Sequence, residues 1–389
     1  MNHLKVARCL CLLLLPLEHP QAAPLTLTAP SDHQVCQREN RVGGLIPIQG
    51  RLEDAVPDQT SLEARLVVNG EAGEWRRLHT TFTNGNFSTT LTAPSGGWHR
   101  LEMRASGPSG ILATATVEHV GIGEVFFVAG QSNAANHGEE RQSAASDKVV
   151  TFDGRRWQHC TDPQPGASGN GGSFLPPLGD ALARRFGVPV GFVACGIGAT
   201  SVREWLPRGT RFPNPPTLTG RVEQLPDGEW ASKGAAFDML VERMRQLGPR
   251  GFRAVLWHQG ESDANQQDPT RTLPGPLYRK YLERLIRESR RAIGWDAPWF
   301  VAQVSYHVPG DEASPDIRAA QASLGTDGIA LPGPDSDALK GDLRENHGKG
   351  VHFSATGLRV HASVWADKVA PWLDGILEDS TSAPDASVA

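Results

Sequence analysis

The hydrophobic positions of this chain change period once, near residue 120. Between Pro24 and Val120 they recur at every second residue, and turn-forming pairs separate the runs. Leu62, Ala64, Leu66 and Val68 alternate with less apolar neighbours and lead into Asn69-Gly70. Phe87, Thr89 and Leu91 follow Asn84-Gly85, and the alternation returns at Leu101, Met103, Ala105 and at Ala113, Ala115, Val117. Asn-Gly favours a tight hairpin because both residues tolerate positive φ. Short strands with no helical window predict a β-sandwich domain over residues 24–120, immunoglobulin-like or jelly-roll.

Beyond Glu124 the pattern becomes short apolar runs alternating with helical windows. Buried strands are predicted at 125–129, 188–194, 254–257 and 299–304. Helices are predicted at 235–247, at 277–293 and near 355–372. In the second helix Tyr278, Tyr281, Leu282, Leu285 and Ile286 share one face, opposite arginine and glutamate. Strand–helix alternation over residues 121–375 predicts an α/β domain with a mostly parallel, doubly covered sheet. Sites in such sheets lie beyond the carboxyl ends of the strands. Val120-Gly121-Ile122-Gly123 joins the two regions with no linker, and the small polar tail 376–389 is predicted to be disordered.

Composition narrows the picture. The 42 glycines and 29 prolines predict many turns and long loops. A net charge of -5 argues against a nucleic-acid partner held by phosphate neutralisation. Lys5 and Arg8, the short apolar run at 9–17 and Ala22-Ala23 read as an export signal over residues 1–23, implying a secreted or periplasmic product. That run is far shorter than the roughly 20 residues a spanning helix needs, so no membrane span is expected. Of five cysteines, Cys9 and Cys11 fall in the signal. Cys36, Cys160 and Cys195 remain, with no CxxC spacing, so at most one disulfide is expected. No HExxH, His-x-His or acidic calcium loop is present, and neither a metal nor another cofactor is expected.

The sharpest chemical feature is VFFVAGQSN: a buried strand ends at Gly130, and Ser132 follows at the carboxyl edge of the sheet. A serine nucleophile needs a base to take its proton and an acid to orient that base. His258 and Glu261 follow the strand at 254–257, and His352 precedes the last helix. Trp205 and Trp230 lie in loop-like, proline-rich context and are candidate sugar-stacking residues. GASGNGG at 166–172 reads as a mobile loop near the cleft. GIGATS at 196–201 lacks the third glycine of a dinucleotide loop. Asn86-Phe87-Ser88 is a glycosylation sequon that matters only in a eukaryotic secretory pathway.

VFFVAGQSN, GATSVREWL, WHQGESDA, IRAAQASL and GVHFSATGL, in that order between Glu124 and about residue 370, resemble the successive blocks of SGNH-type carbohydrate esterases. The closest likeness is to the sialate O-acetylesterase and acetylxylan esterase group. The resemblance implies a flavodoxin-like three-layer α/β hydrolase, with a β-rich N-terminal domain as in some members. It implies an acetylated glycan or sugar as substrate, an acetyl-serine intermediate and no cofactor. By the same resemblance Ser132 is the nucleophile and His352 the general base. The oxyanion hole would comprise the Ser132 and Gly198 amides and the Gln259 side chain, and Ala199 stands where the family usually has a second glycine. One departure stands out. Lys349 occupies the position, three residues before the histidine, where the family commonly has aspartate, and lysine accepts no hydrogen bond. Glu261 is the preferred replacement; Asp335, Asp337, Asp342 and a Ser–His dyad are the alternatives. Lys349 also motivates a rival reading, a carbohydrate-binding protein that kept the fold and lost catalysis.

Overall fold

A computed structural model describes residues 25–53, 56, 59–108, 110–264 and 267–378. The segment read as an export signal, with Cys9 and Cys11, lies outside the described residues, as does the tail from 379. The alternating region folds into strands β1 (Leu25–Ala29), β2 (Gln34–Gln37), β3 (Gly43–Leu52), β4 (Ser61–Val68), β5 (Glu71–Ala72), β6 (Arg76–Leu78), β7 (Asn86–Pro94), β8 (Gly96–Gly107) and β9 (Gly110–Gly130). Strands β1, β3 and β7 form one antiparallel sheet. Strands β5 and β6 pair with β4, which pairs with β8, and β8 pairs with β9. Ile46, Ile48, Leu52 and Leu91 of the first sheet meet Leu62, Leu101, Met103 and Val117 of the second in one apolar cluster. These are the positions that the two-residue period sends to one face.

Strand β9 serves both regions. As far as His119 its burial alternates, and from Val120 to Gly130 every position is buried. A strand covered on one face alternates, whereas one covered on both reads as a continuous apolar run. Its second half is central in a sheet with β10 (Val149–Phe152), β11 (Trp157–His159), β12 (Val190–Ala194), β16 (Ala254–His258), β17 (Trp299–Gln303) and β18 (Leu331–Asp335). The order is β11-β10-β12-β9-β16-β17-β18, parallel except for edge strand β11. Short strands β13 (Arg211–Phe212), β14 (Val222–Gln224) and β15 (Trp230–Ser232) make a separate sheet.

The helices are α1 (Leu175–Phe186), α2 (Ala235–Gln246), α3 (Gly275–Ile293), α4 (Pro315–Thr326), a short α5 (Glu345–Gly348) and α6 (Ala355–Glu378). Val125, Phe127 and Ala129 of β9 pack with Leu240, Tyr278, Leu282 and Ile317 from α2 to α4. Phe126 and Val128 point the other way, toward Leu178, Leu182 and Trp365 of α1 and α6. This is an α/β fold with helices on both faces of the sheet. At the junction, Glu124, fully buried, receives the Arg38 Nε at 2.6 Å and the Arg253 Nε at 2.7 Å. Cys36, Cys160 and Cys195 are buried and free, so no disulfide joins them. Among the described residues no helix is long and apolar enough to cross a membrane.

The predicted helices and strands of the second region are present, and α6 continues through Pro371 to Glu378, into the predicted tail. Several further elements were not predicted, among them β10, α1, α4 and β18. Pro176 and Pro177 start α1, where the missing N–H costs nothing. The sequence of β18, LPGPD, carries two prolines that an edge strand tolerates.

Candidate active site

Three strand ends meet at the centre of the parallel sheet. Strands β12 and β16 flank β9, and the chain passes from β12 to β16 through α2, so the strand order reverses here. This is where ligand crevices form in open α/β sheets. Gly130 ends β9 at φ 132°, and a Cβ on it would lie 2.0 Å from the His258 carbonyl oxygen. Only glycine lets β9 and β16 close at this point. A single 3₁₀ turn, Ser132–Ala134, follows, with Ser132 only 5% exposed.

The floor beneath that turn is dense with hydrogen bonds. The Gln131 side-chain oxygen accepts the Ser262 amide at 3.0 Å. Asn133 Nδ2 donates to Glu261 Oε1 at 3.0 Å and to the Val351 carbonyl at 3.2 Å. One amide thereby ties the turn after β9 to the loop after β16 and to the residue preceding His352. Arg344 holds the same carbonyl through Nη1 at 2.7 Å, and its guanidinium lies between the Tyr306 and Phe353 rings.

His352 receives its carboxylate from an unpredicted residue. Its Nδ1 lies 2.8 Å from Glu345 Oε1, and its backbone amide donates to the same oxygen at 3.1 Å. The segment turns back between them: Asn346, His347 and Gly348 have φ of 53°, 56° and 82°, and the Glu345 amide then donates to the His352 carbonyl. Burial holds the His352 pKa below 6.5, against the opposing pull of Glu345. The imidazole is therefore neutral at pH 7, as a proton acceptor must be.

Glu261, the preferred acid from sequence, sits elsewhere. Its carboxylate is 1% exposed and accepts from Asn133 and from the Gly260 amide, cross-linking the floor. Burial pushes its pKa up to about 7, opposed by the Asn133 bond. The alternatives are also engaged elsewhere. Asp337 accepts the Ser305 and Tyr306 amides, Asp335 pairs with Arg318, and Asp342 is exposed. Lys349 is exposed beyond the turn. His258 is buried against Phe353 and His361, and burial with the nearby Arg344 drives its pKa down to about 3. It is not a base for Ser132.

Two proposed oxyanion donors are already engaged. The Gln259 amino group donates to Asp263 Oδ2 at 2.8 Å and to the Thr200 carbonyl at 3.1 Å. The Gly198 amide donates to Ser168 Oγ at 2.7 Å. Ser168 in turn lies 3.0 Å from His137 Nε2, and the His137 ring stacks on His352 at 5.4 Å between centroids. The loop read as mobile thus delivers Ser168 to the site. It is strapped down, with Asn136 Nδ2 donating to the Gln164 and Ala167 carbonyls and the Asn136 and Gly138 carbonyls taking loop amides. Ala199 adopts φ 57°, the left-handed conformation suited to the glycine the family usually places there.

Trp205 does not face substrate. It is fully buried, donating to Thr200 Oγ1 and packing edge-on against Trp257. Ser201 caps the 3₁₀ turn Val202–Trp205 and swings the ring inward. Trp230 is half-buried on β15, packed against the core.

One histidine–carboxylate cluster lies away from these strand ends. Asp32 bridges His33 Nδ1 at 2.9 Å and His119 Nδ1 at 3.1 Å. His119 belongs to the other half of β9, remote from Gly130. The two rings stack at 4.2 Å with 25° between planes, and both Nδ1 atoms face the Asp32 carboxylate. The cluster reads as a carboxylate bridge between stacked imidazoles.

Comparison with known proteins follows the same lines. Residues 122–370 match the family model described as a carbohydrate esterase, sialic acid-specific acetylesterase. Among solved structures, a carbohydrate acetylesterase from Xanthomonas citri is similar with a TM-score of 0.55 and 17% identity, over 90% of this chain and 75% of that one. An Arabidopsis thaliana protein is similar at TM-score 0.42 and 18% identity, over 66% of this chain and 98% of that one. A family 2 carbohydrate esterase with a carbohydrate-binding domain, from Corynascus, is similar at 0.37 and 13%, over 91% and 99%. A search of curated proteins finds no match. With the family model matching most of its length, the chain belongs to the carbohydrate esterases of the sialic acid-specific acetylesterase family.

Proposed function

We propose that this carbohydrate O-acetylesterase is an exported serine esterase that acts through an acetyl-serine intermediate. Its scaffold would be the flavodoxin-like three-layer hydrolase domain with an N-terminal β-sandwich. One observation carries the reading: the His352–Glu345 pair, beside the Asn133–Val351 bond that anchors the turn bearing Ser132. Glu345 fixes the imidazole with its proton on Nδ1, leaving Nε2 to accept the Ser132 proton. Ser132 Oγ attacks the acetyl carbonyl carbon, and the electron pair moves onto the carbonyl oxygen. Collapse expels the sugar oxygen, which takes its proton from His352. Water, deprotonated by His352, then attacks the acetyl-serine, releasing acetate and restoring the serine.

Glu345 also removes the motive for the rival binding-protein reading, which rested on Lys349 standing where an aspartate was expected. The test is acetate release from O-acetylated sialic acid and from acetylated xylan, with Ser132→Ala alongside. Wild type is expected to turn over one or both, and the variant to lose at least about 10⁴-fold in kcat. Equal background rates for the two proteins would sink the esterase reading.

A further inference from the structure

Three half-buried residues outside the Ser132–His352–Glu345 constellation make one chain at its rim: Gly198, Ser168 and His137. The Ile197 amide donates to the Gly130 carbonyl, so Gly198 stands beside the turn that carries Ser132. His137 at the other end stacks on His352. The Ser168 hydroxyl thus lies between the strand end that delivers the serine and the ring beside the base.

Counting hydrogens shows what this chain can supply. Gly198 has one amide hydrogen, and it points at Ser168 Oγ at 2.7 Å. Gln259 has two amino hydrogens, spent on Asp263 Oδ2 and the Thr200 carbonyl. Reversing the Gln259 amide would set its carbonyl oxygen against both a carboxylate and a carbonyl, so the orientation is fixed. Neither residue has a hydrogen left for a developing oxyanion. Ser168 does. A hydroxyl accepts two hydrogen bonds while donating one. Burial and the neighbouring His352 keep His137 neutral, with its pKa below 6.5. Its two tautomers differ here. The Nε2–H form donates to Ser168, as Gly198 does, and leaves the Ser168 hydrogen free, whereas the Nδ1–H form takes that hydrogen.

We infer that the Ser168 hydroxyl is the oxyanion donor of this enzyme, in partnership with the Ser132 amide, and that Gly198 and the Nε2–H form of His137 hold and polarise it. Two incoming hydrogen bonds strengthen the outgoing one. The donor is also prepositioned: Ser168 is strapped by its own amide to the Gly196 carbonyl and by its carbonyl to the Asn136 amide. Donors fixed before charge develops cost no reorganisation as the transition state forms.

The inference rests on the serine-esterase reading, and the experiment separates the two. Steady-state acetate release is measured for wild type, Ser132→Ala, Ser168→Ala and Ser168→Cys, with melting temperatures to confirm folding. If wild type does not exceed Ser132→Ala, the esterase reading itself has failed. If it does, Ser168→Ala is expected to lose about 10²–10³-fold in kcat with KM within about threefold, the signature of a contact made only in the transition state. Ser168→Cys, whose thiol donates weakly, is expected to lose kcat in the same direction and serves if the alanine variant does not fold. A kcat at or above wild type in either folded variant overturns the inference, because it would mean that Ser168 only covers a Gly198 amide that does the work.

Discussion

The floor and the rim of the site each hold a glutamate, and the two are treated in opposite ways. Glu261, in the floor, is buried, bonded to Asn133 and to the Gly260 amide, and pushed up to about 7 by desolvation. Glu345, at the rim, keeps 19% of its side chain exposed and bonds both the ring and the backbone of His352. In the proposed mechanism the carboxylate beside His352 holds one tautomer and steadies a passing imidazolium, which calls for a bond to the ring itself. One that cross-links buried loops needs only to fill hydrogen-bond sites. A place just after β16, at the sheet edge that carries Ser132, therefore favoured Glu261 in sequence, while the bonds to His352 favour Glu345.

The strongest way to break this contrast is kinetic. Glu345→Gln is expected to cost about 10³–10⁴-fold in kcat, because a neutral amide no longer selects the tautomer or stabilises the charged ring. Glu261→Gln is expected to stay within about tenfold of wild type. A reversed outcome in steady-state acetate release would return the acid role to Glu261. In wild type, the acidic limb of kcat/KM is expected below pH 6.5, the side to which burial moves His352.

Stability against pH sharpens the same contrast. Glu261 has a folded pKa of about 7, above its ordinary 4.5, so the folded state holds a proton that the unfolded chain releases. Its contribution is fully present below pH 4.5 and is lost as pH rises toward 7. The unfolding free energy of wild type minus that of Glu261→Gln, from urea titrations, is expected to fall by on the order of 3 kcal/mol across that window. A difference that stays level would show that Glu261 is ionised in the fold.

Smaller effects follow for the connectors. Asn133→Ala leaves a buried carboxylate oxygen without its donor and is expected to cost about 1–3 kcal/mol in urea unfolding. No loss would mean that Asn133 does not bind the floor to the base. Ala199→Gly, at φ 57°, relieves left-handed strain and is expected to raise stability by up to about 1 kcal/mol. A lower urea midpoint would contradict it.

Much of this was legible in the chain. The abrupt end of an apolar run at Gly130 placed Ser132 at the sheet edge, and the helices at 235–247 and 277–293 were visible to within about two residues, because their periodicity is strong. Glu345 was not legible. It lies seven residues before His352 and reaches it only because Asn346 and His347, neither a glycine, adopt the left-handed conformation. No hydrophobic period marks such a turn. Trp205 misled for a related reason: its loop-like surroundings hide a serine-capped turn that buries the ring. The pairing of Gly198 with Ser168 joins residues 30 apart, a contact that only the folded chain displays.

Strand β9 gives the molecule a single spine, and the two regions cannot be regarded as beads on a string. The same 21 residues leave β8 at one end and lead into the turn bearing Ser132 at the other, with Glu124 clamped midway by arginines from both sides. Recombination that swapped the N-terminal unit for a different module would have to rebuild the flank of the strand that leads to Ser132. In this architecture a change to the N-terminal region is also a change to the sheet that carries Ser132.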